Sequence, residues 1–247
     1  MNIIPIKSYS YNNYYRRTLN SSSISFKNNT AQIQKYLLDK YGIKADFNNT
    51  DQAKLLLEAV EEYFKKTNLK ESQRPFETLE AGVENCCEKT IFAQLHHKLR
   101  FPMPDYELTN SRAKVYIKNL DEKDIGFDYL SINYNSNCDI EKFCLKIKEN
   151  PNHFASSDLK FTMVHELAHW LYAKRCPGDF AIGHLIEPIF DSKLENEKKV
   201  ISNVSKYATM NINEFIAEYI AGRMQGKTYP KEVDELYRKY NGLELFD

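Results

Sequence analysis

Two histidines stand four residues apart in Phe161-Thr162-Met163-Val164-His165-Glu166-Leu167-Ala168-His169-Trp170-Leu171, and Glu166 directly follows the first. On an α-helix such positions differ by about 40° around the axis and about 6 Å along it, so both imidazoles can reach one point. Phe161, Val164, Ala168 and Leu171 recur at helical spacing, which predicts a helix buried along one stripe with its histidines facing a cleft. Ser156-Ser157-Asp158 supplies an N-cap. Zinc accepts neutral imidazole nitrogens at about 2.0 to 2.1 Å, and a carboxylate beside the first ligand can take a proton from water that the ion polarises. The bare pentapeptide arises by accident in about one chain in a hundred of this length, and its histidines also suit the surface of an ordinary amphipathic helix. The rest of the chain must therefore complete a site.

A catalytic zinc usually has three protein ligands, so a third is required. Tyr207-Ala208-Thr209-Met210-Asn211-Ile212-Asn213-Glu214-Phe215-Ile216-Ala217-Glu218-Tyr219 predicts a helix from Asn211 or Ile212 to about Met224, with Ile212, Phe215, Ile216 and Ile220 on one side. Glu214 and Glu218 share another side, where one carboxylate can bind the metal and its neighbour can hold a histidine's second nitrogen. His184 competes poorly, because a three-histidine pattern would place its third His where Arg175 stands. Glu187 ranks second to Glu214, since Pro188 argues against a helix interior there.

The combination resembles the gluzincin metallopeptidases of the anthrax lethal factor type and, more distantly, the clostridial Pro-Pro endopeptidases. In that group the His-Glu-x-x-His helix is followed by a Tyr seven residues before the ligand Glu, then by Asn-x-x-Glu-aromatic-x-Ala-Glu. Tyr207, Asn211, Glu214, Phe215, Ala217 and Glu218 occupy those places. The resemblance covers roughly residues 110 to 247. It implies a mostly helical α+β, zincin-like fold with a small twisted sheet ahead of the active-site helix. It further implies one Zn2+ per chain on His165, His169 and Glu214, with Glu166 as base, Glu218 behind the ligands, and Tyr207 over the reacting oxygen. A phage-repressor-type regulatory peptidase is a weaker match, because its ligand Glu follows much sooner than the 45 positions separating His169 from Glu214. A catalytically silent zincin-fold interaction module is the alternative from another class.

Charge does not announce a partner. Lys plus Arg equals Asp plus Glu at 34 each, so no overall field draws the chain to nucleic acid or an anionic membrane. The lysines of Lys142 to Lys148 and Glu195 to Lys199 alternate with Glu and read as solvated faces. Cys86, Cys87, Cys138, Cys144 and Cys176 lack a repeated CxxC spacing and read as buried small apolar residues in a reducing compartment. No run of about 18 apolar residues predicts a membrane span. The opening Met1-Asn2-Ile3-Ile4-Pro5-Ile6 is too short for an export signal, which predicts a chain made in the cytoplasm without Sec export, while leaderless secretion would leave no trace.

Residues 1–29, rich in Asn, Ser and Tyr, read as a flexible arm, followed by a mainly helical region over 30–109 and the metallopeptidase unit over 110–247. Ile33, Tyr36, Leu37 and Tyr41 predict a helix ending at Gly42, and Asn49-Thr50-Asp51 caps a second through Tyr63. Ile91, Phe92, Leu95 and Leu99 suggest a third, carrying His96 and His97 on its surface. Phe101-Pro102-Met103-Pro104 breaks the pattern. Lys114–Lys118 and Phe127–Tyr134 alternate as strands. An extended protein or peptide substrate could add to the strand near Phe127–Tyr134 through main-chain hydrogen bonds. A final helix is expected over Lys231–Tyr240.

Overall fold

The computed structural model describes residues 29–67, 79–89, 91–100, 124–185, 195–243 and 245, with isolated positions between 116 and 121. The expected arm therefore lies outside the described residues apart from Asn29, as do Phe101–Pro104 and Glu187. Of the expected strand Lys114–Lys118 only Tyr116 is described, and it is helical.

Local signals fix the first helices. Asn29 accepts a hydrogen bond from Ala31 N at 3.0 Å to open α1 (Thr30–Tyr41), and Gly42 closes it at φ 69°, a left-handed conformation that glycine enters without a Cβ penalty. After β1 (Lys44–Ala45), Asn49 accepts from Asp51 N at 2.8 Å at the start of α2 (Thr50–Thr67), whose Leu56, Ala59, Val60 and Tyr63 are buried. Strands β2 (Leu79–Glu84), β3 (Ala93–Arg100) and β4 (Gly126–Asn135) follow. Helix α3 (Ile140–Glu149) turns Phe143 and Ile147 inward. Then come α4 (Leu159–Arg175), α5 (Pro177–Leu185), α6 (Glu195–Ile201), a 3-10 turn at Tyr207–Thr209, α7 (Ile212–Met224) and α8 (Lys231–Lys239). The architecture is mixed α and β, mostly helical, with one four-stranded sheet.

Two expectations are corrected. The segment read as the third helix is β3. Its apolar residues fit either period, and pairing with β4 decides, because Ala93, Leu95 and His97 take one face of a strand antiparallel to Tyr134–Phe127. The strand proposed to receive a peptide is also wrongly placed. The sheet order is β1-β2-β4-β3, so β4 has β2 on one side and β3 on the other and offers no open edge. Among the described residues, the outer edge of β3 is open. Three strands precede residue 110 and one follows it, so the sheet runs across that position.

Helix α4 is the centre of the core. Met163, Val164, Leu167, Ala168, Trp170, Leu171 and Ala173 are fully buried, and α2, α5, α7, β3 and β4 pack around it. It is thus enclosed nearly all round, beyond the single stripe expected, because Met163, Leu167 and Trp170 add a second buried face beside that of Val164 and Ala168. None of the five cysteines is fully buried: Cys87 is exposed and the other four are half-buried. No helix among the described residues is long and apolar enough to cross a membrane.

Candidate metal centre

Asp158 caps α4 by accepting from Lys160 N at 2.8 Å, which sets the phase of His165, Glu166 and His169 about two to three turns later. All three are 7 to 8% exposed. Asn211 caps α7 by accepting from Glu214 N at 2.9 Å. In a full capping box the Glu at this position would reach back to the cap's own N–H. Here the Glu214 side chain turns instead toward α4, at a helix N-terminus whose dipole favours a carboxylate.

The two helices bring three donor atoms together. His165 Nε2 lies 2.9 Å from His169 Nε2, and Glu214 Oε2 lies 3.1 Å from the first and 3.3 Å from the second. A tetrahedral ion with ligands at about 2.0 to 2.1 Å separates its ligand atoms by about 3.3 Å, so the cluster needs little movement to close on zinc. Among the described residues this buried carboxylate oxygen has close nitrogens but no aligned hydrogen bond, an arrangement that a shared cation would satisfy. The residues present therefore fit the metal.

Behind the cluster, Glu218 Oε1 is 2.9 Å from His165 Nδ1. Its other oxygen accepts from Ser205 Oγ at 2.7 Å and from Ala155 N. These contacts hold the imidazole so that Nε2 faces the ion position. Burial alone would disfavour a proton on His165, but Glu214 and Glu218 outweigh it and hold the imidazole well above its ordinary range. Burial likewise acts to raise Glu214, and His169 and His165 beside it more than offset that, leaving it far below the usual carboxylate range. The pocket favours positive charge.

Glu166 flanks the two histidines on α4 and faces β3. Its Oε2 accepts from Leu95 N on β3 at 2.7 Å, and burial pushes its proton affinity up against the pull of the two histidines. Tyr207 stacks obliquely near His165, ring centroids 6.1 Å apart, and near Phe154 and His153 at 5.2 and 5.9 Å. Its main-chain N–H donates to His153 O at 2.8 Å, which anchors the 3-10 turn beside the cluster. A cavity of about 190 Å³ opens there, lined by Glu166, His165, Tyr207, Phe143, Ile147 and Phe154 among others. Of the residues singled out in the sequence, His165, His169, Glu214, Glu218, Glu166 and Tyr207 thus share one neighbourhood. Cys176 instead ends α4, donating its N–H to Tyr172 O. Ser205, the Ala155 N–H and the Leu95 N–H went unrecognised. Two of these are main-chain groups, which leave no mark in a sequence.

No protein family, curated protein or solved structure matches the chain.

Proposed function

We propose that the chain is a zinc-dependent endopeptidase of zincin-like, gluzincin type. The observation that carries this reading is the convergence of His165, His169 and Glu214 within 4.8 Å, with Glu166 and Tyr207 beside them. Zinc held there would polarise the scissile carbonyl and lower the pKa of a water toward about 7. Glu166 would take a proton from the attacking water and pass it to the leaving amine, for which its raised proton affinity suits it. Tyr207 donates a hydrogen bond to the oxygen on which negative charge develops. Glu218 keeps His165 oriented.

The substrate lies extended along β3. Leu95 N–H points to Glu166 and so away from β4, and strand alternation turns the main-chain groups of Ala93 and His97 to the same open edge. The test is turnover of a diverse peptide library by the zinc-loaded protein, abolished by a chelator and in Glu166→Gln with zinc content unchanged. Cleavage at the parent rate in Glu166→Gln rejects the reading, and no cleavage by the parent protein favours the catalytically silent alternative.

A further inference from the structure

A second depression, of about 350 Å³, adjoins the first and is lined by Asn152, Lys198, Lys199, Ser202, Lys206 and Thr209. Among the described residues it is lined by three lysines and no carboxylate. Among the described residues none of these lysines has an ion-pair partner within 4.0 Å, and Glu197 on the same helix is committed to Lys239 and Tyr240. Ser202 and Thr209 already donate their hydroxyls to the Lys199 and Lys206 carbonyls. The ammonium groups and the Asn152 amide are therefore the donors left for a ligand.

This depression is tied to the candidate centre by two adjacent main-chain bonds of 2.8 Å, Lys206 N to Asn152 O and Tyr207 N to His153 O. Lys146 and His153 line the neighbouring cavity that also holds Glu166 and Tyr207. Burial and the positive charges of Lys146 and Lys206 together depress the His153 proton affinity, against the pull of Glu218. A chain of zero net charge thus gathers, among the described residues, three lysines without an ion-pair partner around one depression.

We infer that this lysine-lined surface binds acidic side chains of the peptide substrate. The inference rests on the peptidase reading for its substrate but not for its test. Binding is measured by fluorescence anisotropy on zinc-loaded Glu166→Gln protein, with a peptide pool rich in Asp and Glu and a matched pool carrying Asn and Gln. The acidic pool is expected to bind at least about tenfold more tightly in low salt, with the preference shrinking as the Debye length falls toward about 8 Å. K198E/K199E/K206E should erase it, as should K198Q/K199Q/K206Q if the reversals impair folding. K35E/K44E/K231E, the same charge change at lysines elsewhere, should keep it.

Equal binding of the two pools overturns the inference. So does loss of the preference in the remote triple variant, or tighter binding of a single-stranded oligonucleotide of equal charge. Turnover by the parent protein is scored separately: acidic preference without turnover rejects the peptidase and retains the anion-binding surface.

Discussion

Glu218 grips His165 from behind, its Oε1 2.9 Å from His165 Nδ1 while its Oε2 serves Ser205 Oγ and Ala155 N. Three donors thus meet one carboxylate. In Glu218→Gln one of its two ends becomes an NH2 group, which must face a donor and cannot satisfy it. Zinc affinity should fall about 10- to 100-fold, the usual cost of losing a group that orients a ligand, with the fold retained. Chelator competition measures this; an unchanged Kd would contradict the assigned role.

His165→Ala should go further, taking zinc from about one per chain to near none by elemental analysis. Full zinc content in that variant would remove His165 from the ligand set.

Tyr207→Phe removes a hydroxyl and leaves the ring against Phe154 and His165. We expect kcat to fall about 10²- to 10³-fold, the range for losing one donor to a developing oxyanion, with zinc retained. Parent kcat in this variant would exclude the hydroxyl from the reaction.

The pair His165 and Glu214 predicts a pH window for the metal-free protein. His165 binds its proton more tightly folded than unfolded, so its contribution is complete below the ordinary value of 6.5 and is lost as pH rises through the raised one. Glu214 is depressed, so its contribution is present above 4.5 and lost as pH falls through its folded value. Zinc requires neutral imidazole, which reverses the alkaline limb. From about pH 6 to about pH 8, the gap in Tm between zinc-loaded and stripped protein should widen. Calorimetry with and without zinc decides it, and a narrowing gap is the contrary result.

Glu58 on α2 offers an independent pH test away from the centre. Burial raises its carboxyl to about 7, against the pull of Lys160 and with Asp158 and Glu61 adding to the rise. A raised folded value means stability present below 4.5 and lost through about 7. Glu58→Gln should therefore stabilise the protein at about pH 8 by roughly 1 to 2 kcal/mol, after allowing for screening at a half-exposed site, and do little near pH 4. Urea unfolding at both values gives the comparison.

Gly183 on α5 lies so close to α7 that an added Cβ would overlap the Asn213 carboxamide, which donates to Phe180 O at 3.0 Å. Asn213 immediately precedes Glu214. Gly183→Ala should cost about 1 to 3 kcal/mol through overpacking and weaken zinc binding by displacing the ligand-bearing turn. Parent stability together with parent zinc affinity would show that the contact yields freely.

What could be read from residues alone was what local chemistry writes into them. Asn49, Asp158 and Asn211 announce helix starts, Gly42 a helix end, and the four-residue spacings of His165/His169 and Glu214/Glu218 place paired side chains on helix faces. β3 was illegible because Ile91, Phe92, Leu95 and Leu99 fit a helical stripe as well as a strand until β4 is beside them. The Phe127–Tyr134 strand was recognised, yet its neighbours were not, since one strand's alternation says nothing of what pairs on either side. The hold of Leu95 N on Glu166 depends on that pairing and on a main-chain group.

That hold has a temporal consequence. Leu95 belongs to a strand made early, and it meets Glu166 only after β4 has been synthesised and inserted between β2 and β3. A ribosome-bound fragment that stops short of α7 lacks Glu214 and so cannot bring the His165, His169 and Glu214 ligand atoms together, however complete its sheet.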